Sequence, residues 1–518
     1  MWRAAIGAVF VLLGGVLLGG IARAESPVIS AVAYHDIVDR RGGDAFAITL
    51  DEFKRQLRYL KDEGYTPISL RQLDDARRDG TPLPSRPVLL TFDDGLKSFA
   101  THALPALREY GYPSVLAVVT SWIDGRTVLE GHRGQQPLSW NELREIRDAG
   151  DVEIISHTDD LHRGIRNNAQ NNTGAAGTTR EYRANGVYES EEQFRARVRA
   201  DLTRSTQRLR AELNISPAAV AWPYGEYDAV TVDEAQRLGM RYHLTLDEES
   251  TELSTLPRIN RLPFNGYRRL ADFDSMLRLR DHKREQLRFV DLTLDAFRGL
   301  NAAEQERKLS ELLSRLELLP VNAVVIDAFA ANDGAAFFAN PSIPVAADVL
   351  GRVIQQIRVR NGIRRVYLRF PGNLAPPVYR ELARLHRFAG AVITDVEPAQ
   401  AQPLIALLRY HHPAIKIGLP TPSAASDFAW LELDAQSDND AIADKVRAAL
   451  AQEQRVLFIL RRTPELSDER LATAMRTLRR AGARHYGYDK DDPTRQRPAI
   501  TRIGAELRAY AIGDDRGY

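Results

Sequence analysis

Cysteine is absent from the 518 residues. That excludes disulfides, thiolate metal ligands, a cysteine nucleophile and a lipid-bearing N-terminal cysteine. Net charge is nearly absent too, with 70 Lys and Arg against 69 Asp and Glu. The sequence has no basic stripe with interleaved aromatics, which argues against a nucleic-acid partner and points to a neutral or mildly charged substrate. Membrane-length apolar runs are missing beyond the first two dozen residues. There, Trp2-Arg3 precedes an apolar and glycine stretch from Ala4 to Ala22 that ends in Ala22-Arg23-Ala24. A short basic region, an apolar core and a small-x-small site read as a signal peptide over residues 1–24, so export is expected. The stretch is long for a signal core, and an uncleaved inner-membrane anchor is the alternative.

A chain of this length suits two domains rather than one core. In residues 28–262, apolar runs at Ile29–Tyr34, Val88–Phe92, Ser114–Val119, Val152–Ile155 and Ala219–Trp222 read as buried strands. Helical patterns at Leu50–Glu63, Ser98–Tyr110, Trp140–Ala149 and Glu191–Leu213 lie between them. Strands that are apolar throughout and alternate with helices predict a parallel α/β sheet or barrel. The polar stretch Arg163–Tyr188 reads as a long surface insertion facing substrate. Residues 263–286 read as a charged connector. Residues 287–518 repeat the strand-and-helix alternation eight times, from Phe289–Leu294 to His485–Tyr488, which predicts a compact (β/α)8 barrel.

The chemistry concentrates where these strands end. Leu89-Leu90-Thr91-Phe92 runs into Asp93-Asp94-Gly95, setting two adjacent carboxylates at the mouth of a buried strand. Two such acids repel one another unless a cation or a transferred proton separates their roles. Alone, the motif also reads as a helix cap or turn, since Asp-Gly is a good turn pair. Glu153-Ile154-Ile155-Ser156-His157-Thr158-Asp159-Asp160-Leu161-His162 supplies two histidines after another apolar run. Histidines at this spacing do not share a helix face, so they meet on one ion only from an irregular loop; otherwise they are surface histidines. Together Asp94, His157 and His162 form a candidate two-His, one-carboxylate site, leaving Asp93 to act on water. Such donors suit zinc, with cobalt or nickel as alternatives, and keep positions open for water and substrate. Leu161, between the histidines, is expected to point inward. His35, at the end of Ile29–Tyr34, faces the same mouth if the strands are parallel, and can protonate a leaving amine; the alternative is a core-edge histidine bonded to Asp36. Trp222-Pro223-Tyr224-Gly225, at another strand end, reads as an aromatic floor for a sugar ring or as an ordinary rigid turn.

Thr91-Phe92-Asp93-Asp94-Gly95 and the His157/His162 segment resemble the first two motifs of the polysaccharide deacetylase (NodB-like) family. The detail is similar to the exported poly-β-1,6-N-acetylglucosamine N-deacetylases of the PgaB/IcaB type. Tyr34-His35-Asp36-Ile37 precedes the Asp-Asp motif, the two histidines are spaced one residue wider than usual, and Trp222-Pro223-Tyr224-Gly225-Glu226-Tyr227 replaces an arginine-rich segment. The resemblance implies an irregular deacetylase-type (β/α) barrel over 28–262. It implies Asp93 as general base, His35 as general acid, Asp94, His157 and His162 as ligands of one divalent metal, and Trp222 and Tyr224 along the substrate groove. An acid or arginine that orients the base is also implied, with Arg258 and Asp247 the nearest candidates. The reaction would be removal of acetate from exported poly-β-1,6-N-acetylglucosamine in the periplasm, with an outer-membrane export porin and a synthase complex as implied partners. Peptidoglycan or chitin is the alternative substrate, and a non-catalytic polysaccharide-binding scaffold the alternative class.

The second unit resembles the C-terminal barrel of the same Gram-negative proteins, which binds polymer and in some members cleaves it. Ile326-Asp327-Ala328-Phe329-Ala330 and Leu382–Glu397 carry the likeness. Where those relatives show an adjacent acidic pair, this chain has Asp395-Val396-Glu397. Asp327 and Asp395 are the expected polymer-binding acids, and a bifunctional deacetylase and glycoside hydrolase is the further alternative, because glycoside cleavage needs two carboxylates across the bond.

Overall fold

A computed structural model describes residues 28–508 apart from 130–133, 248–249, 265, 267–268, 279–285, 454 and 464. The signal-peptide or anchor reading of residues 1–24 lies outside the described residues. Among the described residues no helix is long and apolar enough to cross a membrane.

The first unit is built on a parallel sheet. Its strands run, in spatial order, Arg258–Asn260, Tyr242–Thr245, Ala219–Ala221, Val152–Ser156, Ser114–Val118, Pro87–Phe92, Ser30–Tyr34 and Leu262–Pro263. The two outermost strands are neighbours in sequence, separated by Arg261 alone. One run of chain therefore touches both edges of the sheet and bends it into a near-closed, irregular barrel. The last three of these strands in sequence escape the apolar-run reading because two are interrupted by polar residues, His243, Arg258 and Asn260, and the third is two residues long.

The 23-residue helix Glu191–Leu213 supports the sheet from outside. Ser190 caps it by accepting from the Gln193 N–H, and Asn214 ends it in the left-handed region at φ 53°. Its buried stripe includes Phe194, Val198, Leu202, Leu209 and Leu213 at helical spacing, but also the polar Asp201 and Ser205. The stretch read as a surface insertion is partly structured, with antiparallel pairings of Gly164–Arg166 with Thr173–Ala175 and of Tyr182–Ala184 with Val187–Tyr188. It buries Asn168, Asn172, Thr178 and Arg180. The segment read as a connector carries the helix Leu270–Leu277, whose Phe273, Met276 and Leu277 join the first barrel's core.

The second unit is a closed barrel of eight parallel strands, Arg288–Leu292 through His485–Tyr488, with helices outside it. Side chains alternate across each strand. Phe289, Val325, Tyr367, Trp430 and Ile459 fill the barrel interior. Two residues further along the same strands, that interior stripe turns polar as Asp291, Asp327, Arg369, Glu432 and Arg461. Space inside is tight: a Cβ at Gly487 would stand 2.2 Å from the Phe289 carbonyl oxygen. This unit has the expected (β/α)8 architecture.

Candidate metal centre

Asp93 and Asp94 leave the strand Pro87–Phe92 at the barrel's C-terminal mouth, where the Asp93 N–H donates to the Tyr34 carbonyl at 2.9 Å. Asp94 then turns into the left-handed region, φ 74°, followed by Gly95 at φ 67°. Gly95 has little room for anything larger, since a Cβ there would stand 3.0 Å from Val118 Cγ1. The turn brings the Asp94 carboxylate against two imidazoles. Asp94 Oδ1 is 3.4 Å from His157 Nε2 and 3.3 Å from His162 Nε2. One ligand atom from each residue lies within 4.8 Å of the others.

The donors are set for a cation rather than merely close. His157 Nδ1 is 2.8 Å from the Ala221 carbonyl oxygen, which only accepts. Nδ1 therefore carries a proton, which leaves Nε2, the nitrogen that faces Asp94, as the one available to a metal, the arrangement found in histidines that bind metals. Burial pushes the His157 imidazole pKa down, but Asp93 and Asp94 outweigh burial and raise it, so positive charge is favoured at this point. Two imidazoles and a carboxylate, the first histidine and the acid buried and His162 nearly so, suit one divalent ion of the borderline type.

The wide His157–His162 turn is held from beneath. Asp159 is fully buried and accepts from Thr120 Oγ1 at 2.6 Å, and from Arg126 and Arg204. The backbone N–H groups of Asp159 and Asp160 donate to the two carboxylate oxygens of Asp201, at 2.9 and 2.7 Å. Burial pushes the Asp201 carboxyl up to about 7. Leu161 points inward as expected and packs with Ile165 and Ala176. Above the turn, the His162 ring lies 4.8 Å from both Trp122 and Tyr224.

Asp93 stands beside this centre, not in it. Arg261 Nη1 donates to Asp93 Oδ1 at 2.6 Å and to Thr91 Oγ1 at 3.0 Å. Burial pushes the Asp93 carboxyl up, but Arg261, His157 and His35 together hold it below the usual carboxylate range. The arginine that holds Asp93 is Arg261, not Arg258, and Asp247 is not beside it either; those two lie near one another at 4.0 Å and share Tyr227. Arg261 is buried because it is the residue between the two edge strands, a position that becomes visible only once the barrel closes.

His35 follows the strand Ser30–Tyr34, half-buried, with its ring 4.8 Å from Phe46 and its charge felt at Asp93. The two aromatics expected along a groove divide. Tyr224 is 48% exposed on the rim, at φ 60°. Trp222 is 1% exposed and stacks on His243 at 5.9 Å, so its face is closed to a sugar and it supports the floor from below.

Asp327 and Asp395 lie at the C-terminal strand ends of the other barrel. Asp327 receives a forked pair of hydrogen bonds from Arg369, at 2.7 and 2.8 Å, and so is committed to an arginine rather than open to a ligand amine. Arg369 also meets Asp291, and Arg461 meets Asp291, Glu432 and Asp489. Asp395 is exposed, in the left-handed region, and accepts from Thr394 Oγ1 at 2.8 Å.

Comparison with known proteins agrees with this division. A family described as polysaccharide deacetylase matches residues 80–243, and one described as hypothetical glycosyl hydrolase family 13 matches residues 291–395. The chain thus carries a deacetylase-type domain and a second, glycosyl-hydrolase-like domain. It is 30% identical over 346 residues to a poly-β-1,6-N-acetyl-D-glucosamine N-deacetylase of Escherichia coli K12, a match covering 64% of this chain and 51% of that protein. The chain thus spans about half the length of that relative. An enzyme of the same description from Staphylococcus aureus MSSA476 is 23% identical over 218 residues, covering 41% of this chain and 67% of that one. Among solved structures, the deacetylase domain of BpsB from Bordetella bronchiseptica is 35% identical over 45% of this chain and 94% of its own, with a TM-score of 0.41.

Proposed function

We propose that this protein is a metal-dependent polysaccharide N-deacetylase that removes acetate from exported poly-β-1,6-N-acetylglucosamine. The observation that carries the reading is the meeting of Asp94, His157 and His162, with an arginine-braced Asp93 beside them, inside a region that matches the polysaccharide deacetylase family. The relatives named for this polymer support the choice of substrate.

Asp94, His157 and His162 would hold the ion, zinc first, with cobalt or nickel as alternatives. A bound divalent ion supplies polarisation of the acetamide carbonyl and a lowered pKa for water. Asp93, kept ionised by Arg261, accepts the proton from the attacking water. Its second carboxylate oxygen serves this role while Oδ1 is engaged by the guanidinium. His35, in its protonated form, gives a proton to the departing amine as the C–N bond breaks. Water's oxygen ends in acetate, and the sugar keeps a free amine. Tyr224 forms the rim on which the glycan seats. The reading extends to the periplasm, with an export porin and synthase complex as partners and the second barrel as the polymer's grip.

The test is acetate release by metal-loaded protein from β-1,6- and β-1,4-linked N-acetylglucosamine pentamers. Release from the β-1,6 oligomer is expected. Release mainly from the β-1,4 oligomer would keep the chemistry and overturn the substrate. The glycosyl-hydrolase-like match favours one second reading, in which the other barrel also cleaves the polymer. Shortening of the partly deacetylated chain in a size assay would reveal it, and Arg369's hold on Asp327 argues against it.

A further inference from the structure

Glu226 lies two residues beyond Tyr224, and its side chain is only 18% exposed. Three separate parts of the molecule meet on its carboxylate. Thr178 Oγ1, from the insertion that follows His162, donates to Oε2 at 3.0 Å. Arg358 Nη2, from the second barrel's helix Leu350–Arg360, donates to Oε1 at 3.0 Å. Arg387, also from the second barrel, brings Nε to 3.5 Å from Oε2 and donates from Nη2 to the Tyr227 carbonyl at 3.1 Å. Burial pushes the Glu226 carboxyl up, but Arg358 and Arg387 overcome this and hold it below its ordinary range, so the clamp is ionic.

The aromatic turn beside the metal centre and the insertion that follows His162 thus both rest on the second barrel. The aromatic turn is held through Glu226 and Tyr227. The insertion is held through Thr178, through Gln355 Nε2 donating to the Thr173 carbonyl at 2.7 Å, and through Gln170 Nε2 donating to the Asp348 carbonyl at 3.1 Å. Tyr224 sits in a left-handed conformation that a tyrosine adopts only when its surroundings impose it. Gly225 allows the next step of the turn, because any Cβ there would stand 2.6 Å from Leu246 Cβ.

We infer that Glu226 is a positioning residue for glycan binding, through which Arg358 and Arg387 of the second barrel fix Tyr224 and the insertion as the two rims of the deacetylase groove. The inference rests on the deacetylase reading and deepens it. The second barrel shapes the first barrel's substrate groove and takes no part in the bond-breaking step. A purely adhesive role for the same contacts would join the domains without changing how substrate seats.

The experiment uses the full, metal-loaded chain as parent, Glu226→Gln, Arg358→Ala/Arg387→Ala and Arg358→Lys. Steady-state deacetylation of the β-1,6 pentamer is measured with metal content and amide hydrogen exchange at Thr178, Thr179, Gly225 and Glu226. Those N–H groups bond to the Ala175, Trp222 and Pro223 carbonyls, so their exchange reports the two rims. For Glu226→Gln and the double variant, faster exchange and a KM raised on the order of tenfold are expected, with kcat and metal content near parental values and Arg358→Lys close to parent. An active parent with KM unmoved in both variants would overturn the inference alone, whether or not exchange changes. So would a loss traced wholly to missing metal. An inactive parent would overturn the functional reading and this inference with it.

Discussion

The two barrels place carboxylates at the same architectural point, the C-terminal ends of parallel strands, and treat them in opposite ways. In the first, Asp94 faces two imidazoles, and a single arginine, Arg261, is set aside to brace Asp93. In the second, the corresponding place is taken by Arg369 and Arg461, which lie among Asp291, Asp327, Glu432 and Asp489. Acids at a barrel mouth are therefore weak indicators of catalysis until their partners are known. The first mouth sets the Asp94 carboxylate against two imidazoles that could share a metal with it, whereas the second neutralises most of its acids with arginines of the fold.

The contrast breaks most completely if a metal-facing donor is removed. His157→Ala should lose the bound ion and with it all acetate release, read by metal analysis and enzyme assay on the same sample. In the second barrel, Arg369→Met should instead act on stability. It leaves Asp291 to Arg461 and strips the part-buried Asp327 of its forked pair, a loss of about 1–3 kcal/mol, measured by denaturant unfolding. Metal content of the first barrel should be unchanged. Arg261→Lys keeps a charge but loses the fork that reaches Asp93 and Thr91 together. A fall in kcat of roughly 10–100-fold with metal retained is expected, the range typical of groups that orient a metal site's working residues.

The smallest effect sharpens the comparison through pH. Asp201 in the folded protein titrates at about 7, above the ordinary value of 3.8, because it is buried. A carboxyl raised on folding contributes stability that is complete below its unfolded value and is lost as pH rises through the folded one. The melting-temperature difference between parent and Asp201→Asn should therefore be larger at pH 5 than at pH 8. A difference independent of pH would mean that Asp201 holds the His157–His162 turn as an ordinary ionised carboxylate.

How much of this was legible in the sequence follows from how local each feature is. The Asp93-Asp94 pair and His157 follow directly on apolar runs that end at strand mouths, while His162, five residues on, was legible only through its spacing from His157, which required the irregular turn that Asp159 and Asp201 hold. The eight short apolar runs of the second barrel were legible for the same reason, since parallel strands buried on both faces read as apolar throughout. Arg261 was not legible, because it owes its position to closure of the sheet by two strands that are neighbours in sequence and opposite edges in space. The arginines of the second mouth were missed for a related reason. Arg369 pairs across strands with Asp291 and Asp327, and nothing near it in sequence marks those partners. Trp222 was misjudged although its signal was present: it continues the fully buried run Ala219–Ala221, whereas Tyr224 follows the turn to the surface. The second-barrel residues that grip Glu226, at 358 and 387, lie too far along the chain for any motif to contain them.

Asp93→Asn separates the ion from the base, and metal content and acetate release should be measured together on that variant and its parent. Expected is one divalent ion per chain in both, with kcat in the variant lower by roughly 10²–10⁴-fold, the share that a positioned general base contributes. Undiminished release by the variant, or loss of the ion along with the activity, would contradict the assignment of Asp93 as the base beside an Asp94, His157 and His162 centre.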